Sequence, residues 1–433
     1  PPRSTLFPYT TLFRSLITLA ALFSYINYRF IKLPTTIGVM ALALLLSLVM
    51  IGLRQTGFAP MEQRAEAIIA GIDFNQVLLQ GMLSLLLFAG ALHVDLDELA
   101  QRKWPIGVLA TAGMLASALL VGIGSWILLN FLLGIQISLL YCLLFGALIS
   151  PTDPIAVLGI LKSVNAPKSL EITIAGESLF NDGMAVVVFS ILLALAVGGA
   201  EVSAGGALLL FVQETLGGIA FGLVIGYIGY WMLKTIDGYN VEIMITLALV
   251  LGGYALALHL HVSGPIAMVV SGLMIGNQGR LLAMSDITRD HLDLFWEMID
   301  EILNAVLFVL IGLEMVILTF EGHYLLASLL IVPLVLAARL ACVGVPINVM
   351  RRKFGFQFEP YTTRILTWGG LRGGISVALA LSLPPGPERQ IVLALTYIVV
   401  LFSILVQGLT MRPLLKRTTG LAGPDATGEA ANG

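Results

Sequence analysis

Residues 150–162 read SPTDPIAVLGILK, a charged segment bracketed by prolines inside an otherwise unbroken apolar run. Pro151 and Pro154 each remove a backbone donor and clash with the preceding turn, so a helix carrying both unwinds between them. Asp153 lies in that gap, and Thr152 adds a hydroxyl. The surrounding run, about 136–161, is long enough to cross the roughly 30 Å hydrocarbon layer of a bilayer. Unwound backbone at that depth is tolerated only where it lines a cavity, and its carbonyls and half-helix ends can coordinate a cation there. A plain proline kink with a capping aspartate is the simpler alternative.

The rest of the chain calls for the same solvent. Of 433 residues, 58% are hydrophobic and 11% charged, where a soluble domain carries about a quarter charged residues. The net charge of −3 matters less than its distribution. Further apolar spans fall near 14–32, 35–53, 75–94, 105–130, 170–199, 205–233, 240–260, 262–277, 294–317, 322–349, 361–383 and 388–413. With 136–161 they predict an all-α polytopic membrane protein of about thirteen transmembrane helices.

The loops test that count. Alternate ones carry Arg29 and Lys32, Arg102 and Lys103, Lys162 and Lys168, Lys234, Arg280 and Arg289, then Arg351, Arg352, Lys353 and Arg364. The C-terminal end adds Arg412, Lys416 and Arg417. The opposite loops hold only Arg54, Arg64 and Arg389. The asymmetry puts the basic loops and the C-terminus in the cytoplasm and the N-terminus outside, in the cell inner (plasma) membrane.

Residues 1–15 lack a leading Met, and TLFPYTTLF (5–13) is nearly a direct repeat. They are expected to be non-native or disordered, with the transmembrane domain over 16–417. Residues 418–433, rich in Gly, Ala and Thr, are expected to be a disordered tail with no soluble domain after the membrane region. No cleavable signal peptide is seen. Cys142 and Cys342 lie in apolar runs and read as packing residues without a disulfide.

Span three, LLLFAGALHVDLDEL (85–99), and span ten, AVLFVLIGLEMVI (305–317), are both Leu/Phe-rich and end in a Gly-bearing turn and a polar residue. Spans two and nine open with Leu33-Pro34 and Gly264-Pro265, and spans five and twelve each contain helix breakers. Two inverted six-helix repeats, spans 1–6 and 8–13, follow, with five and twelve as the broken pair.

A charge at mid-bilayer costs about 2.5–3.5 kcal/mol even on the lenient insertion scale, so each one needs a reason. Span six carries GESLFNDGMAVVVF (176–189), with Glu177, Ser178, Asn181 and Asp182 spaced i, i+1, i+4, i+5 on one face. Carboxylate, amide and hydroxyl form a hard-oxygen cluster suited to a proton or alkali cation, without the His and Cys ligands of zinc or copper. A polar patch joining helices is the alternative. Span twelve reads WGGLRGGISVALALSLP (368–384); its glycines loosen the helix and set Arg372 at a break opposite Asp153. An acid and a base there would neutralise the facing half-helix dipoles. Arg339, in LVLAARLACVGV (334–345), is too deep to reach water and needs a buried acidic partner, for which Glu177 is the candidate. His93 and Asp95 read as interfacial, Glu314 similarly, and His259 and His261 lack further ligands for a metal.

Taken together, SPTDPIAVLGILK, GESLFNDG and GGLRGG resemble the NhaP-type sodium/proton antiporters. These are the bacterial branch of the monovalent cation/proton antiporters that includes the eukaryotic sodium/proton exchangers. The resemblance covers about residues 15–417. It implies crossed, unwound helices five and twelve, and Asp182 as the shared cation and proton site. It lines that site with Thr152, Asp153, Ser178 and Asn181, assigns Asp182, Ser178 and Thr152 to sodium, and pairs Glu177 with Arg339. It further implies a homodimer in the lipid bilayer, with dimerisation helices at about 16–94 and 205–317. Core helices at about 105–199 and 322–413 would move as an elevator. Exchange would be electroneutral, because Asn181 stands where electrogenic relatives carry a second Asp. Sodium, lithium and protons are cargo; no resident cofactor and no nucleic acid is expected.

One departure bears on selectivity. Some relatives carry an additional acid on helix three near the ion, where this chain reads FAGALHVD (88–95). Potassium/proton exchange therefore stays open. A cation channel is a second alternative, disfavoured by the inverted repeat and by the lack of a carbonyl-ring filter sequence. For a membrane-embedded enzyme there is no HExxH, Ser/His pair or nucleotide loop.

Overall fold

The structure, a computed structural model, describes residues 8–54, 81–164, 166–197, 204–314, 322–359 and 361–419. Expectations for residues 1–7 and for the tail from 420 onward lie outside them, as does the loop bearing Arg64. The first helix begins at Pro8, within the stretch set aside above.

The described residues are almost wholly helical and contain no β-strand. In order they form α1 (Pro8–Ile26), α2 (Thr35–Arg54), α3 (Leu83–Leu92), α4 (Leu96–Gln101) and α5 (Lys103–Leu132). Then come α6 (Leu139–Ile149), α7 (Ile155–Ser163), α8 (Lys168–Val197), α9 (Ala204–Lys234), α10 (Tyr239–His259) and α11 (Gly264–Met274). The last are α12 (Asp286–Glu314), α13 (Gly322–Lys353), α14 (Thr362–Trp368), α15 (Gly374–Leu381), α16 (Pro387–Phe402) and α17 (Leu409–Thr419). Seven helices among the described residues are long and apolar enough to cross a membrane, and α3 and α6 are shorter apolar helices.

Local chemistry sets several boundaries. Ser138 caps α6 by accepting from Tyr141 N, and Ser263 caps α11 by accepting from Ile266 N, with Pro265 in the first turn. Asp95 caps α4, taking Asp97 N and Glu98 N on one carboxylate oxygen. α12 starts at Asp286, eight residues before the apolar span at 294–317. Its first turns are amphipathic and charged, so a hydropathy reading misses them, although an aspartate at a helix N-terminus is favourable.

Two packed groups surround the broken helices. In one, α12 lies on α2, and α11 lies on α3 and α9. In the other, α5 lies on α6, and α13 lies on α5 and α16. The α9–α11 contact depends on Gly222, where a Cβ would sit 2.7 Å from Ala267 O. Small residues let membrane helices approach this closely. On the outside of α9, Leu208, Leu209, Leu223 and Trp231 are exposed. Such a continuous apolar exterior fits hydrocarbon as its solvent.

Candidate functional site at the two helix breaks

Apolar spans five and twelve each resolve into two short helices, α6/α7 and α14/α15, joined by non-helical chain at 150–154 and 369–373. The two breaks touch: Asp153 N donates to Leu371 O at 2.7 Å. Glycine permits the approach, since a Cβ on Gly373 would lie 2.5 Å from Asp153 Oδ2 and one on Gly370 2.7 Å from Arg339 Nε.

The charges at the breaks are divided by helix polarity. Asp153 Oδ1 accepts from Ile155 N at 2.9 Å, at the positive N-terminus of α7. Arg372 Nη1 donates to Ser150 O and to Pro151 O, the latter at 3.0 Å, at the negative C-terminal end of α6. The Arg372 amide is held by Ser403 Oγ at 2.8 Å. Arg372 therefore meets carbonyls, and the carboxylate of Asp153 serves the other half-helix.

α8 passes alongside with Glu177, Ser178, Asn181 and Asp182 all buried. Asn181 Nδ2 donates to Thr152 Oγ1 at 3.0 Å, while Thr152 N donates to Asn181 Oδ1 at 3.3 Å. Thr152 Oγ1 and Ser178 Oγ share a hydrogen bond of 2.9 Å. This triad ties α8 to the first break. Asp182 is 8% exposed, and among the described residues its carboxylate has no hydrogen-bond or ion-pair partner.

Glu177, one turn before Asn181 on α8, meets Arg339 of α13 in a two-pronged pair, Arg339 Nη1 to Oε1 and Nη2 to Oε2, the second at 2.9 Å. Arg339 Nη2 also donates to Leu366 O at 3.2 Å. Its Nε is buried with no partner among the described residues, and Arg339 lines a small cavity with Thr367, Gly370, Arg372 and Gln407. That cavity offers about 10 Å³ to the centre of a water molecule, room for one.

Thr152, Ser178 and Asn181 are thus joined by direct hydrogen bonds, with Asp153 and Asp182 as their chain neighbours, while Glu177 pairs with Arg339 and Arg372 holds the break carbonyls. Among the described residues no three His, Cys, Asp or Glu side chains converge. The donors at the breaks are hydroxyl, amide and carboxylate oxygens, the set a hard cation takes.

Sequence reasoning passed over Ser150, Ser403 and Asp300. Neither serine carries a signal before its partner is known. Asp300 did carry one, as an acid inside a predicted span; it lies on α12, where its carbonyl accepts from Asn304 Nδ2 at 2.8 Å. His93 and Asp95 are occupied at the end of α3 and the start of α4, His93 Nδ1 lying 2.8 Å from Ala89 O. Asn277 clamps the same turn, taking Leu96 N and donating to Val94 O.

The chain is 58% identical over 403 residues to the Na(+)/H(+) antiporter NhaP of Pseudomonas aeruginosa, covering 93% of this chain and 95% of that protein. It is 35% identical over 399 residues to the Na(+)/H(+) antiporter NhaH of Halobacillus dabanensis, covering 90% and 93% respectively. Among solved structures, the sodium proton antiporter MjNhaP1 from Methanocaldococcus jannaschii at pH 8 superposes with a TM-score of 0.74 at 20% identity. The match covers 96% of this chain and all of that one, a likeness of fold. A family profile described as "Sodium/hydrogen exchanger, transmembrane" matches residues 17–417, a stretch that includes both breaks and the α8 cluster. The chain belongs to the sodium/hydrogen exchanger family.

Proposed function

We propose that this chain is a secondary active antiporter that exchanges Na+ for H+ by alternating access, with Asp182 as the shared site. One observation carries the reading: a buried carboxylate without a partner among the described residues stands beside a hydroxyl–amide cluster, where two interrupted helices meet. A cation or a proton can complete that carboxylate, but not both at once. Crossing as a bare anion is costly in a medium of low dielectric constant, so only the loaded forms traverse, and exchange is obligatory. Thr152, Ser178 and the break carbonyls would supply neutral oxygens to the cation. Asn181, neutral and engaged with Thr152, adds no second charge, which supports electroneutral exchange.

The same reading takes the finer architecture with it. It has about thirteen spans in two inverted repeats, the N-terminus outside, the C-terminus cytoplasmic, and a homodimer in the cell inner membrane. The names of the curated relatives support sodium as cargo.

The test is proton movement in proteoliposomes carrying a pH gradient, with sodium, lithium or potassium added, for the parent and for Asp182→Asn. Dissipation triggered by sodium in the parent alone is expected. Full exchange in Asp182→Asn, with equal expression, would overturn the assignment.

A further inference from the structure

Charge at the cytoplasmic helix ends, as the span order assigns them, is uneven. Around α4 and the start of α12 acids accompany the bases: Arg102 and Lys103 follow directly on α4, and Lys168 pairs with Glu98. Asp95, Asp97 and Glu98 lead α4, while Arg280 and Arg289 are paired with Asp293 and Asp286. Around α13 and α17 the charge is basic. α13 ends in Arg351, Arg352 and Lys353, and α17 carries Arg412, Lys416 and Arg417, all exposed.

Residues near both helix ends join one apolar cluster. Met350 of α13 and Met411 and Leu415 of α17 share one buried cluster, with Phe356 and Phe358 of the connecting stretch packed against it. Glu359 is the one acid in residues 351–359, and 409–419 contain none. Phe354, directly after the basic run, is 68% exposed. The positive-inside rule accounts for basic residues at every cytoplasmic helix end, Arg29, Lys32, Arg102, Lys103 and Lys234 among them; α13 and α17 differ in carrying three each.

We propose that this basic end is a docking surface for anionic phospholipid headgroups of the cytoplasmic leaflet, with Phe354 seated among the upper acyl carbons. The inference rests on the orientation given under the proposed function. Two features favour a lipid: the cations stand at the ends of membrane helices, and an exposed aromatic accompanies them. Each Lys or Arg near an anionic leaflet strengthens attachment about fivefold. α13 also holds Arg339, and α17 continues from the segment holding Ser403, so a lipid here grips the helices that buttress the breaks. Anionic lipid then tunes the conformational step without touching the ion.

The experiment compares the full chain with a variant carrying Arg352→Gln, Lys353→Gln, Lys416→Gln and Arg417→Gln. Arg351 is kept because it donates to Phe358 O and Glu359 O. Lipid retention is read by native mass spectrometry with phosphatidylglycerol or phosphatidylcholine added, and sodium-driven proton movement is read in vesicles of phosphatidylcholine with and without phosphatidylglycerol. The parent should retain phosphatidylglycerol selectively, and the variant should retain it at least about tenfold less. Turnover should rise with phosphatidylglycerol in the parent only, the two proteins agreeing in phosphatidylcholine alone. Equal retention of both lipids, or undiminished retention in the variant, would overturn the proposal. So would full displacement by soluble glycerol phosphate, which would make the surface a free-anion site. Retention without any transport would remove the exchange reading and leave the surface standing.

Discussion

Arg339 is the residue whose surroundings say most about how this membrane interior tolerates charge. Its guanidinium answers both oxygens of Glu177, so neither partner is stranded. Removing one side of such a buried pair costs about 3–5 kcal/mol, whereas replacing both with well-packed apolar groups is often close to neutral. Arg339→Ala should therefore lower the thermal melting point clearly, and Glu177→Leu combined with Arg339→Met should recover much of the loss; a single variant melting like the parent would dismiss the pairing. Gly373→Ala drives a methyl into the Asp153 carboxylate, so exchange should fall severalfold while expression holds. At Asp182 the expectation concerns pH. A cation needs the deprotonated ligand, so where the site is mostly protonated the half-saturating sodium concentration should rise about tenfold for each unit the pH falls, with the maximal rate little changed. Initial rates across a pH series would check it, and a constant half-saturation would argue for separate proton and cation sites.

At the scale of elements, the two breaks work as one unit because each half-helix end receives charge of the opposite sign. Asp153 meets the start of α7, and Arg372 the end of α6. The second break is positioned from behind by Ser403, whose hydroxyl accepts the Arg372 amide. Ser403→Ala leaves that buried donor unpaired, at a cost of about 1–3 kcal/mol. A drop in melting temperature is expected, together with slower exchange and unaltered cation preference. Slower exchange would also mark Ser403 as a positioning residue for the break, because loss of stability alone would leave the rate of the folded fraction untouched.

At the scale of the whole molecule, the apolar exterior and the basic loops together imply one orientation. Gln390 lies on the side predicted to face outward and Lys416 on the cytoplasmic side, and both are exposed. Cys142 and Cys342 are buried and free, so they give little background to a thiol reagent. Gln390→Cys should react with an impermeant reagent in intact cells and Lys416→Cys only after permeabilisation; the reverse pattern would invert the topology.

Much of this was legible before any coordinates. Hydropathy is a property of local composition, and the helix breakers at Pro151, Pro154 and Gly369–Gly374 act through their own backbone, so the all-helical membrane fold and its two interruptions follow from the chain alone. The Glu177–Arg339 pair was legible too, because a charge in hydrocarbon demands a partner and few candidates exist. What the chain could not say is which groups meet across long separations. Thr152 finds Asn181 and Ser178, Arg372 finds the carbonyls of Ser150 and Pro151, and Ser403 finds the Arg372 amide only once the helices are packed. Hydroxyls and backbone carbonyls are everywhere along a sequence, and only tertiary packing selects the few that become partners.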